Sequence, residues 1–226
     1  MIAHTGYEAI TLDLQHGLID DQTAVTMLQA ISTTAAVPLV RLPWNDPAAI
    51  MRALDAGAYG VICPMINTRA EAEAFVGACR YPPLGYRSYG PIRATIYAGD
   101  DYYHHANNTV LALALIETAE ALANVEDIVT PPGLDGLYIG TVDLSISLGL
   151  IGLGDLDDPR LRQAIDHILD AARRQDRIVA MHAVNPQQAA MLAGMGIQLL
   201  TVLTDSAVLQ AGATDLLART RAFIET

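Results

Sequence analysis

Short apolar runs alternating with longer amphipathic segments predict an α/β protein, a parallel sheet covered by helices in the manner of a TIM (β/α)8 barrel. Three observations carry this expectation. Seven apolar runs read as strands: Ala9–Leu12, Pro38–Val40, Gly60–Cys63, Leu111–Ile116, Gly136–Ile139, Ile178–Met181 and Leu199–Leu203. Each stops at a polar or special residue (Asp13, Arg41, Pro64, Glu117, Gly140, His182 and Thr204-Asp205), and strand C-termini are where such barrels keep their functional groups. The chain has 226 residues and begins, at Met1–Gly6, in what reads as the end of a helix directly before a strand. An eight-stranded barrel typically takes about 250 residues. The expected architecture is therefore a barrel lacking its first strand and most of its first helix; a seven-stranded or open arrangement is the alternative. Residues 1–226 read as a single domain, because no linker divides them.

The intervening helices have legible starts. Asp46-Pro47 places an N-cap before a proline at the first helical position, and that helix ends at Gly57. Thr68 precedes the acid-rich first turn Arg69-Ala-Glu71-Ala-Glu73. Asp158-Pro159 opens a helix to about Gln175, and Asn185-Pro186 opens one that ends at Gly194 or Gly196. The last helix, Ser206–Ile224, carries Val208-Leu209, Leu216-Leu217 and Phe223-Ile224 on more than one face. A final barrel helix packed on its own sheet accounts for one such stripe and not for a second. The segment from Arg80 to Asn108 breaks the alternation: it holds six of the nine tyrosines and no long helical period. It is expected to cover the barrel mouth or to meet a neighbouring subunit.

Composition narrows the function. Hydrophobic residues make up 52% of the chain, above the 45–50% usual for soluble domains, which favours burial between subunits. A net charge of −12 argues against nucleic acid or an anionic membrane as partner. No apolar run reaches the roughly 18 residues of a membrane span, and no signal peptide is legible at Met1. Cys63 and Cys79 lack metal-type spacing and read as reduced thiols, so the cytoplasm is the expected compartment. All 13 basic residues are arginines, and a chain without lysine cannot form a lysine Schiff base. Carbanion or enolate chemistry here has to rest on a metal and on arginine.

The candidate site follows from the strand ends. Glu117 and Asp143 lie 26 positions apart, about one strand–helix–strand step, so both acids reach one end of neighbouring strands. Such a pair can share one hard divalent cation and leave its other positions to water and substrate oxygens. Asp13-Leu-Gln-His16 puts an imidazole at the mouth, with a carboxylate near enough to fix its tautomer. Arg41 at a strand rim either binds an anion or pairs with an acid. The turn Gly140-Thr141-Val142-Asp143 can present backbone N–H groups to a carboxylate, or can be an ordinary glycine turn with Asp143 as a helix cap. His182 also ends a strand, as a ligand-binding or a structural histidine.

Taken in order, Leu12–Gly17, Val40–Pro47, Ala53–Gly57, Tyr81–Arg87, Ile116–Thr118 and Ile139–Ser145 resemble the HpcH/HpaI aldolases, metal-dependent class II pyruvate aldolases, across nearly the whole chain. The resemblance implies aldol addition of pyruvate, or a close 2-oxo acid, to an aldehyde, with Mg2+ or Mn2+ (Co2+ a further option) bound by Glu117 and Asp143. It implies that His16 is the base, held by Asp13, and that Arg41 stabilises the enolate. The turn Gly140–Asp143 would then hold the 2-oxo acid's carboxylate, and Asp55 would act on a histidine across a subunit interface. It further implies a hexamer whose C-terminal helix is exchanged between subunits. Two positions depart from the family pattern: Leu115 stands where a glutamine is common, and Thr141 follows Gly140 where proline is usual. Lyase action on an acyl-coenzyme A and a non-catalytic barrel subunit are the competing readings.

Overall fold

The computed structural model describes residues 1–224. Seven parallel strands form one sheet in sequential order: β1 (Ala9–Asp13), β2 (Val37–Arg41), β3 (Gly60–Cys63), β4 (Leu111–Ile116), β5 (Gly136–Ile139), β6 (Ile178–Ala183) and β7 (Leu199–Val202). Sequential parallel neighbours joined by helical crossovers are the pattern of a (β/α) barrel, here one strand short of eight. The expected opening helix is a single 3-10 turn, Ile2–His4.

Between the strands run α1 (Asp21–Ile31), α2 (Pro47–Asp55), α3 (Arg69–Cys79), α4 (Ile92–Ala98), α5 (Tyr102–Thr109), α6 (Ala119–Ala123) and α7 (Val125–Ile128). They are followed by α8 (Thr141–Ser147), α9 (Pro159–Arg174), α10 (Pro186–Gly194) and α11 (Asp205–Ile224). Their starts are chemically simple. Asp46 accepts from Ala49 N–H, Asn185 from Gln188 N–H, and Thr68 with Glu71 completes a reciprocal capping box. Each such cap stabilises its helix by about 1 kcal/mol. In α9 the buried residues Leu161, Ala164, Ile165, Ile168, Leu169 and Ala172 recur at helical spacing and form one face toward the sheet.

Strand side chains alternate between two environments. Leu12, Val40, Val61, Ala114, Ile139 and Met181 point outward and join Leu28, Ile50, Phe75 and Ile168 of the helices in the main core. Ile62, Leu113, Leu115, Tyr138 and Ala180 point inward and fill the barrel with Ile178 and Leu199. This period of two decides which strand-end residues face the mouth.

At the opposite end one guanidinium ties two strands together. Arg80, 1% exposed, donates to Val110 O (2.7 Å), to Gly133 O (2.6 and 3.1 Å) and to Asp135 Oδ2 (2.5 Å). Asp135 Oδ2 also accepts from Ala112 N–H at 2.6 Å, so the feet of β4 and β5 are tied together.

One alternative for the segment 80–108 is corrected, and one for the last helix falls away. The segment 80–108 is not a loop over the mouth: it contains α4 and most of α5, and it joins the end of α3 to the start of β4, both at the N-terminal face of the sheet. Its contacts lie there too, with Arg93 donating to Ala56 O (2.6 Å) and Tyr97 OH bonding Gly57 O. Its two short helices, with only three residues between them, hid the period. The last helix does form, as α11, but it buries no side chain, so it is not a barrel helix packed on its own sheet.

Candidate active site

Inward parity brings Asp13, Arg41 and His182 to the C-terminal end of the sheet, with Glu117 one residue past β4. Asp13 and Arg41 are register partners on β1 and β2. Arg41 Nε donates to Asp13 Oδ1 (2.9 Å) and Nη2 to Oδ2 (2.6 Å), a two-point pair that only a guanidinium makes. Asp13 Oδ1 also accepts from the backbone N–H groups of Gln15 (3.1 Å) and His16 (3.2 Å). Burial opposes the Asp13 charge, but these bonds and the Arg41 charge outweigh it, and the carboxyl sits below its usual range. Asp13 therefore holds the backbone of His16 and not its ring, contrary to the expected tautomer-fixing contact; the imidazole itself is exposed. The loop folds so tightly that a Cβ on Gly17 would lie 2.0 Å from Asp13 O, which is why glycine follows His16.

Glu117 is only 3% exposed. Its Oε1 accepts from Met65 N–H at 2.8 Å, and Met65 turns its backbone to φ +56° to present that group. Its Oε2 lies against Gly140, where a Cβ would come within 2.8 Å of it. Burial pushes the Glu117 carboxyl up; the Asp143 charge adds to this, while the Met65 bond and Arg41 oppose it. Asp143 is exposed and stands in the first turn of α8, not on the strand end itself and not as a cap, since Gly140 is the N-cap. The first hydrogen bond of α8 runs from Leu144 N–H to Gly140 O (2.9 Å), so Thr141, Val142 and Asp143 have N–H groups without an intrahelical acceptor. No cluster of three or more His, Cys, Asp or Glu side chains able to hold a metal occurs among the described residues. Two carboxylates, one buried and short of partners, fit a hard cation that keeps water and substrate oxygens for its other positions.

His182 lies on β6, one residue before its end, and its Nδ1 is 3.3 Å from Thr201 Oγ1 on β7. Thr201 Oγ1 in turn lies 2.5 Å from Tyr138 Oη on β5. Burial, then the Arg41 charge, holds His182 below the usual histidine range and so neutral. Leu115 is the buried, apolar register partner of Tyr138. Tyr138 and Thr201 were not singled out in the sequence; counting inward positions by twos along Gly136–Ile139 and Leu199–Val202 finds both.

Asp55 is not at the mouth. It ends α2 at the opposite face and accepts from Arg87 Nη2 at 2.7 Å. Arg87 is buried over the Tyr81 ring (4.5 Å to the centroid) and bonds Tyr102 OH at 3.2 Å. Cys63 and Cys79 are buried and free, and burial pushes the Cys79 thiol up to about 12, so neither is a nucleophile.

Residues 1–202 match the family described as HpcH/HpaI aldolase/citrate lyase. The chain belongs to this family. It is 40% identical over 221 residues to the hydroxypyruvate/pyruvate aldolase of Rhizorhabdus wittichii, covering 98% of this chain and 88% of the relative. It is 34% identical to the 4-hydroxy-2-oxo-heptane-1,7-dioate aldolase of Salmonella dublin, covering 97% of this chain and 84% of the relative. A crystal structure of an HpcH/HpaI aldolase/citrate lyase family protein from Burkholderia cenocepacia superposes with a TM-score of 0.89 at 32% identity, over 97% of this chain and 88% of that one. This HpcH/HpaI chain is thus a carbon–carbon lyase of the class II aldolase type, which sets aside the non-catalytic barrel. No helix among the described residues is long and apolar enough to cross a membrane.

Proposed function

We propose that this single-domain chain catalyses reversible aldol addition of pyruvate, hydroxypyruvate or a close 2-oxo acid to an aldehyde. The observation that carries this reading is the buried Glu117 carboxylate, held by one N–H, with Asp143 and Arg41 each near enough to act on its charge. A divalent cation on Glu117 and Asp143, Mg2+ or Mn2+ and less readily Co2+, would polarise the donor's ketone. The free N–H groups of Thr141, Val142 and Asp143 hold the donor's carboxylate. The exposed imidazole of His16 takes the proton from the carbon beside the ketone. Arg41, kept charged and oriented by Asp13, holds the negative oxygen that forms, the preorganised electrostatic contribution that usually dominates such reactions. A net charge of −12 offers little to a nucleotide's phosphates, which disfavours acyl-coenzyme A as substrate.

In this reading the working form is a hexamer in the cytoplasm. α11 is exchanged between subunits, and Asp55 approaches a neighbour's His16. Supporting it are the length of α11 and its exposed Leu209, Leu216 and Leu217, on a helix that buries no side chain in one subunit. The direct test is Glu117→Ala, or chelation, assayed for retro-aldol cleavage and for solvent exchange of pyruvate methyl protons. Both activities are expected to disappear. Full exchange by metal-free protein would overturn the mechanism.

A further inference from the structure

Below the charged groups at the mouth, β5, β6 and β7 carry a line of polar side chains beside the apolar inner cluster. Tyr138, Thr201 and His182 lie on three consecutive strands and form a continuous hydrogen-bonded chain, with separations of 2.5 and 3.3 Å. Its direction follows from counting protons. Tyr138 is 8% exposed among Ile62, Leu113, Leu115 and Ala180, so a phenol proton without an acceptor there would be costly. Thr201 Oγ1 is the acceptor in reach. Thr201 then spends its own proton on Nδ1 of the neutral His182, and the remaining imidazole proton sits on Nε2. Every proton in the chain is thereby placed except the Nε2–H, at its free end. A Phe and Val pair would fill the same space without burying two hydroxyls, so the use of the chain lies at that end.

That end is at the donor side of the site. The Arg41 charge reaches both His182 and Tyr138, and Leu115, across from Tyr138, offers a donor molecule nothing polar. A 2-oxo acid anchored at Glu117, Asp143 and α8 must turn its reacting carbon toward Arg41 and His16. The side of the barrel formed by β5, β6 and β7 flanks that path, and His182 is the member of its polar chain nearest the strand ends. Resting on the aldolase reading above, we infer that the Tyr138–Thr201–His182 chain selects the donor, favouring 2-oxo acids that carry a hydroxyl on the carbon beside the ketone. The His182 Nε2–H donates to that hydroxyl, and Tyr138 acts through Thr201 as a positioning residue.

The test is the rate of exchange of the protons beside the ketone in deuterated water with Mn2+, measured by NMR for hydroxypyruvate and for pyruvate. The quantity read is the ratio of the two kcat/KM values. In Tyr138→Phe, Thr201→Val and His182→Leu this ratio should fall about tenfold, the effect of one lost or misaligned hydrogen bond to substrate. Thr201→Ser keeps the hydroxyl and should keep the ratio. Tyr138→Phe and Thr201→Val preserve shape and carry the test even where His182→Leu folds poorly. Ratios within twofold of the parent in both of them would overturn the inference while leaving the aldolase reading intact. Exchange of neither acid by the parent protein would overturn both.

Discussion

Gly140→Ala probes how closely β5 supports the buried carboxylate. The glycine has φ −92°, an ordinary value for alanine, so the substitution tests contact and not backbone strain. The new Cβ would stand 2.8 Å from both Cβ and Oε2 of Glu117, and ordinary contact begins near 3.4 Å, so a gap of roughly 0.6 Å must open. Glu117 has little room to yield. It is 3% exposed, and retreat stretches the 2.8 Å bond from Met65 N–H beyond the range where such bonds are strong. Overpacking of this kind costs about 1–3 kcal/mol of stability. The larger effect should fall on the cation: displacing a ligand's support typically weakens affinity 10- to 100-fold. Calorimetric titration with Mn2+ measures this directly, and a thermal melt separates it from loss of fold. A Gly140→Ala protein with parental Mn2+ affinity and turnover would refute the argument.

Three further outcomes are expected. Arg41→Lys keeps a positive charge but cannot span both oxygens of Asp13, so steady-state kcat/KM should fall on the order of 10²–10³-fold. In metal-free protein the Glu117 pKa is raised above its unfolded value. The native state therefore binds the extra proton, and Glu117 costs stability at neutral pH that is recovered as pH falls through its folded pKa. Glu117→Gln should accordingly raise the metal-free melting temperature at pH 7, with the gain shrinking toward pH 4; a lowered melting temperature at pH 7 would contradict this. Ending the chain after Thr204 removes α11, which buries no side chain, and should abolish the oligomer in light scattering while shifting the melting temperature by only a few degrees. A monodisperse parental monomer with full activity would remove both the assembly and the role given to Asp55.

All seven strands expected from the sequence are strands, within two residues at each end, because a parallel strand covered on both faces reads as an unbroken apolar run. The capped helices were equally legible, since Asp-Pro, Asn-Pro and Thr-x-x-Glu leave few other local structures open. The same periodicity carried the site residues Asp13, Arg41, Glu117 and His182 to strand ends, where they stand. What was not legible depends on partners distant in sequence. Asp13 was expected to serve the His16 ring; its oxygens are taken by Arg41, 28 positions away, and by two backbone N–H groups. Met65 offers Glu117 a main-chain group, which no side-chain pattern records. Tyr138 and Thr201 lie 63 positions apart on strands that do not pair with each other, and only the folded sheet brings their hydroxyls together.

Arg80 gives the molecule a division of labour. The guanidinium that ties the feet of β4 and β5 shares no hydrogen bond with the groups at the mouth, and the segments carrying His16, Met65 and Thr141 leave from the other end. Cohesion and chemistry are thus written in different residues at opposite ends of the sheet. A lineage re-cutting the mouth for another aldehyde would change loop sequence without drawing on this anchor. A change at Arg80, in contrast, would be felt by every substrate alike, as a weaker barrel and not as a different one.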